Sequence, residues 1–119
     1  MKPVSETGFS VLMRQEDFDA FAVLSGDDNP IHVDPAYAAK TSFEKTVAHG
    51  MYLFSHMEKL LRMIAPDRQP VATRLMFPAP ARAGDNVTFH GAYDDHQTIA
   101  KLVATRDDGE VVCRLECDF

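Results

Sequence analysis

Gly50-Met51-Tyr52-Leu53-Phe54-Ser55-His56-Met57-Glu58-Lys59-Leu60-Leu61-Arg62-Met63-Ile64 is the stretch that decides the fold. Leu53, Phe54, Met57, Leu60, Leu61 and Ile64 recur at the i, i+1, i+4, i+7, i+8 spacing of one broad helical face. His56, Glu58, Lys59 and Arg62 interrupt the apolar run, which is too short and too charged to span a bilayer. Ala65-Pro66-Asp67 ends the helix. The chain beyond it reads as strands: 71–77, then a segment carrying Val87, Phe89 and Tyr93 on one side, then 99–105. The last segment places Val111, Cys113, Leu115, Cys117 and Phe119 on one face. Gly84-Asp85, 94–97 and the Asp108-Gly109 hairpin signal supply the turns. A single apolar helix and a one-faced sheet must bury their faces on each other. The predicted class is therefore α+β.

Upstream, 9–13 reads as a first strand. Phe18, Phe21, Ala22 and Leu24 follow helical spacing, with Gly26 as the stop. Asp34-Pro35 is an N-cap followed by proline at the first helical position, which predicts a short helix over 36–39. Residues 41–46 read as a loop. The chain has no repeats, low-complexity segments or linker, so 1–119 is expected to form one domain.

The 119 residues carry 12 Lys+Arg against 18 Asp+Glu, a net charge of −6. That balance argues against nucleic acid, whose phosphates need clustered basic charge. It also offers no basic face to an anionic membrane. Cys113 and Cys117, four extended steps apart, lie roughly 13 Å from each other, too far for a disulfide. Two unpaired thiols and a polar start without an apolar signal core point to a cytoplasmic setting.

Between the first helix and 50–64 lie two polar clusters, Ser25-Gly26-Asp27-Asp28-Asn29-Pro30-Ile31-His32 and Ala48-His49-Gly50. Glycine, asparagine and proline punctuate the first, so it reads as a loop. Within it Asp27 can take a proton from water, and an imidazole near its working pH, His32, can return one. Asn29 can orient a reactant through its amide, and Pro30 forces Asn29 into extended geometry. Gly50 stands where the helix begins. Its N–H, with the helix dipole, can hold a developing oxyanion. His32, His49 and His56 lack metal-ligand spacing, and no Gly-rich phosphate loop is present. No metal or cofactor is expected.

Ser25-Gly26-Asp27-x-Asn29-Pro30-Ile31-His32 resembles the hydratase-2 motif of the MaoC-like dehydratases, the (R)-specific enoyl-CoA hydratases. Phe43-x-x-x-Val47-Ala48-His49-Gly50-Met51 resembles that family's second signature. Phe77-Pro78-Ala79-Pro80 with Ala83-Gly84-Asp85 is similar to a looser third. The resemblance implies a hot-dog fold, an antiparallel sheet wrapped around one long central helix. It implies interconversion of trans-2-enoyl and (R)-3-hydroxyacyl thioesters, with coenzyme A or an acyl carrier protein on the thioester. Asp27, His32 and Asn29 form the implied catalytic group. Gly50 and His49 form the oxyanion and substrate-binding group, with the His49 ring better suited to packing or local hydrogen bonding than to reaction. A homodimer, or a dimer of dimers, is implied as well. A thioesterase on the same fold and a non-catalytic acyl-thioester binder are the alternatives. One departure stands out: Glu44-Lys45-Thr46 occupies a place where family members often carry glycine-rich residues.

Overall fold

The computed structural model describes residues 7–94 and 96–119. Residues 1–6 and position 95 of the expected 94–97 turn lie outside the described residues. Among the described residues the elements run β1 (Thr7–Leu12), α1 (Gln15–Ser25), α2 (Pro30–Val33), α3 (Pro35–Ala39), α4 (Gly50–Ile64), β2 (Ala72–Met76), β3 (Asn86–Tyr93), β4 (Ile99–Arg106) and β5 (Val111–Asp118). The strands form one antiparallel sheet in the order β1-β3-β4-β5-β2. α4 lies across β1, β3, β4 and β5. This is the single-domain hot-dog arrangement that the resemblance implied.

The apolar face of α4 does what its spacing predicts. Leu53, Met57, Leu60 and Leu61 are buried against Val87, Phe89, Leu102 and Leu115. Each such side chain contributes about 1.5–3 kcal/mol by leaving water. The end of α4 packs on β3 at Gly91. A Cβ there would lie 2.9 Å from Leu102 Cγ and 3.1 Å from Ile64 Cδ1. Only glycine leaves room for the end of α4 to settle on the sheet.

Two expectations need correction. The segment read wholly as a loop contains the one-turn helix α2. The Asn29 side chain accepts the Ile31 N–H as an N-cap, and Pro30 takes the first helical position. These are helix-start signals, and turn punctuation uses the same residues. Asn29 itself is extended, at φ −53° and ψ 134°, as its place before proline requires. In β5, Val112 and not Val111 joins the core. The register slips between Ala104↔Cys113 and Thr105↔Val111, leaving Val112 unpaired in a bulge. Strict alternation cannot foresee the extra residue. The hairpin itself forms, with Gly109 at φ 88°.

Cys113 and Cys117 are both free and buried. Burial pushes the Cys113 thiol up to about 12 and, with Glu58 adding to the effect, Cys117 up to about 11. Neither is a nucleophile near neutral pH. Glu44 takes φ 67°, a left-handed backbone that suits glycine. It stands where the resemblance places glycine-rich residues.

Candidate functional site

The site is built by short-range contacts at the end of α1. Gly26 caps that helix at φ 79° and turns the chain. The Asp27 N–H donates to Ser25 Oγ at 3.1 Å, and the Asn29 N–H to Asp27 Oδ1 at 3.4 Å. The Ile31 N–H donates to Asn29 Oδ1 at 3.1 Å. Serine, aspartate and asparagine here brace the backbone of their own segment. Asn29 spends its carbonyl oxygen on the cap, so its NH2 is the group left for a ligand.

α2 is fastened from two sides. The Val47 N–H donates to Ile31 O at 2.9 Å, and His32 Nδ1 lies 2.7 Å from Val47 O. A carbonyl only accepts, so Nδ1 carries the proton and Nε2 is the nitrogen turned to the site. Gln15 Nε2 donates to His32 O at 2.9 Å, and Thr46 Oγ1, fully buried, donates to Gln15 Oε1 at 2.5 Å. Sequence reasoning missed Gln15 and Thr46, and it named Val47 only as part of the second signature, without a role. Their roles come from partners 31, 17 and 15 residues away in the chain, and no local pattern signals them.

His32 Nε2 lies 3.6 Å from Asp27 Oδ2, with the imidazole 14% exposed and the carboxylate 55%. That gap is too long for a hydrogen bond between them. A water bonded to both at about 2.8 Å would see them at an angle of about 80°. The two groups thus converge on one water-sized position, with the carboxylate open to solvent.

His49 is buried, 2% exposed. Its Nε2 lies 2.8 Å from Asp27 O and therefore donates. Its ring stacks on His32 with centroids 3.9 Å apart and planes 20° from parallel. Phe21 packs against it at 4.9 Å. Burial is the chief cause that lowers the His49 pKa; the bond to Asp27 opposes it, and nearby His32 adds to it.

Gly50 follows directly as the first residue of α4. Among the described residues no hydrogen bond takes its N–H or that of Met51. The Phe77 ring sits 3.0 Å from where a Cβ on Gly50 would be. An apolar cavity of about 350 Å³ opens here, lined by residues that include Phe43, Ala48, Gly50, Leu53, Phe77 and Val112.

One potential ligand atom each from Asp27, His32 and His49 falls within 4.8 Å of the others. Linear spacing gave no hint of this cluster. His49 Nε2 carries a proton engaged by a carbonyl, so the lone pair of that ring lies on Nδ1. The set then falls short of the four ligands zinc takes in structural sites. His56 stands apart among Phe9, Tyr52 and Phe89, and His90 and His96 are exposed on the far strands and turn.

The MaoC like domain family matches residues 2–112. An (R)-specific enoyl-CoA hydratase of Aeromonas caviae is 45% identical over 71 residues, 58% of this chain and 53% of that protein. A 3-hydroxybutyryl-CoA dehydratase of Methylorubrum extorquens is 31% identical over 114 residues, 91% of this chain and 69% of that protein. The chain thus aligns with about half to two thirds of these relatives. A solved (R)-hydratase from A. caviae, described as involved in PHA biosynthesis, superposes with a TM-score of 0.79 at 31% identity, covering 98% of this chain and 94% of that one. An R-hydratase from Pseudomonas aeruginosa superposes at 0.83 with 23% identity, covering 99% and 80%, a likeness of fold. With the family match running over residues 2–112, nearly the whole chain, the protein belongs to the MaoC like domain family.

Proposed function

We propose that this chain interconverts trans-2-enoyl and (R)-3-hydroxyacyl thioesters, acting as a hydratase or dehydratase on coenzyme A substrates. The observation that carries the reading is the 3.6 Å approach of Asp27 Oδ2 to His32 Nε2, next to the amino end of α4. The names of the relatives above support the reaction class. In hydration, the Asp27 carboxylate takes a proton from water as the water oxygen bonds to the β carbon. The double-bond electrons shift toward the thioester oxygen, and the Gly50 N–H stabilises the enolate charge. His32, as imidazolium, gives its Nε2 proton to the α carbon. Asp27 is then protonated and His32 neutral, and proton transfer from Oδ2 to Nε2 resets the pair. Asn29 positions water through its NH2. In dehydration the roles reverse. The apolar cavity beside Gly50 takes the acyl tail.

The test is a crotonyl-CoA assay that follows loss of enoyl absorbance, free thiol and product chirality together. The expected result is (R)-3-hydroxybutyryl-CoA with no thiol release. Thiol release would make the protein a thioesterase, and tight binding without turnover would make it a binding module.

A homodimer belongs to the same reading. β2 is an edge strand exposed on both faces except at Leu75, with Met76 exposed at its end and exposed Val71 and Phe77 on either side. An open edge of this kind invites a second strand. Light scattering should give twice the 13.3 kDa chain mass. A cytoplasmic setting fits the two unpaired cysteines, and no helix among the described residues is long and apolar enough to cross a membrane.

A further inference from the structure

His49 presents a puzzle that packing alone does not resolve. Its ring is buried, yet among the described residues its Nδ1 has no hydrogen-bond partner. Leaving such an atom unsatisfied costs about 1–3 kcal/mol. A phenyl ring would fill the same space without that cost. The ring's other nitrogen explains why an imidazole is kept. Nε2–H holds the Asp27 carbonyl at 2.8 Å, and the ring face lies on His32 at 3.9 Å. One side chain therefore touches both members of the proton-transfer pair, one through its edge and the other through its face. It does so from position 49, one residue ahead of the Gly50 N–H.

We infer that His49 is a positioning residue for the reaction, acting through Asp27 and His32 rather than on substrate. Its N–H fixes the backbone of Asp27, and its stacked ring fixes the plane of His32. Together they hold the carboxylate, the imidazole and the amino end of α4 in one frame. Without the N–H the Asp27 turn is free to drift from the imidazole. Without the ring, His32 is held only at its own Nδ1. The inference builds on the hydratase reading of the same site, but its structural half stands independently of turnover.

Two variants separate the two contacts. His49→Phe keeps a stacked ring and loses the donor. His49→Gln keeps an amide donor near the Nε2 position and loses the ring. With crotonyl-CoA, H49F is expected to lower kcat about 10²-fold, the scale of a small misplacement of catalytic groups. Its KM should stay within about twofold, and its melting temperature should change little, because loss of the Nε2–H bond is offset by removal of the unpaired Nδ1. H49Q should recover about tenfold of the lost kcat through the restored donor. The second readout is the ring-nitrogen NMR spectrum of His32 without substrate. Recorded where the ring is neutral, it should show Nδ1 protonated against the Val47 carbonyl, with sharp lines in the wild type and lines broadened by motion of the unstacked ring in H49Q. Wild-type kcat in H49F would overturn the inference. So would a loss of activity that tracks loss of folded protein with the His32 spectrum unchanged in both variants. If the wild type does not hydrate enoyl thioesters but the His32 spectrum responds as stated, the hydratase reading fails and the positioning role stands.

Discussion

His49 and His56 are seven residues apart, two turns along the same side of α4, and they meet opposite surroundings. His49 faces a loop. A backbone carbonyl takes its N–H, and a second imidazole lies on its ring. His56 faces the sheet, with the rings of Phe9, Tyr52 and Phe89 around it and a buried Nε2 without a partner among the described residues. The same residue type caps the helix beside the site and, two turns on, packs half-buried against the sheet. The element packed opposite makes the difference. A turn-rich loop offers carbonyls and carboxylates, whereas a strand offers its side chains alone because its carbonyls are spent on the ladder. The amino end of α4 should thus be sensitive in activity, and the body of the helix in stability.

The largest expected effect lies at the amino end. Asp27→Asn and His32→Gln should each lower kcat by about 10²–10⁴-fold, the range of acid–base help. Thermal unfolding of Asp27→Asn should be nearly unchanged, since that carboxylate is exposed. Comparable losses of stability would erase the division between the two ends. The converse variant is Leu60→Ala, in the body of the helix. It should cost about 2–5 kcal/mol in urea unfolding, while the folded fraction keeps its specific activity.

A smaller effect separates the two imidazoles by pH. Burial lowers the pKa of His56, with Lys59 adding to the effect and Asp17 opposing it. The unfolded chain then takes up a proton on this ring more readily than the folded one. Stability is full above the ordinary imidazole value of 6.5 and drains as pH falls below it. The shift at His49 has the same sign. Urea midpoints measured from about pH 8 down to about pH 5 should decline, and His56→Leu should flatten the decline without removing it. A slope identical to the wild type would mean that the His56 ring is solvated. The smallest effect belongs to the loop that leads into His49. Glu44 at φ 67° bears a left-handed strain of about 1–2 kcal/mol. The extra freedom of glycine in the unfolded chain offsets part of it. Glu44→Gly should therefore stabilise by about 1 kcal/mol, read as a raised urea midpoint.

Much of the fold was legible because its signals are local and strong. The bounds of α4 follow from apolar spacing and the break at Ala65-Pro66. Gly26, Asp34 and Gly109 mark a helix end, a helix start and a hairpin through their own backbone preferences. α2 was missed because Asn-Pro starts a turn and a helix with the same chemistry. The Val112 bulge was missed because register is set between strands. At the site, the chemical types at Asp27 and His32 could be read, but their 3.6 Å separation could not. Gln15 and Thr46 gave no sign at all, since polar side chains are common in helices and loops.

The sequence by itself determined every helix and strand except α2, which face of the long helix is apolar, and which residues can move protons. These follow from backbone preference and side-chain chemistry, properties a residue carries into any fold. Only the tertiary structure decided that Val47 sets the His32 tautomer, that His49 touches both Asp27 and His32, and that Gly50 borders an apolar cavity. Those contacts join α1, α2, the 43–49 loop and α4, and packing brings such elements together only when the helix settles on the sheet.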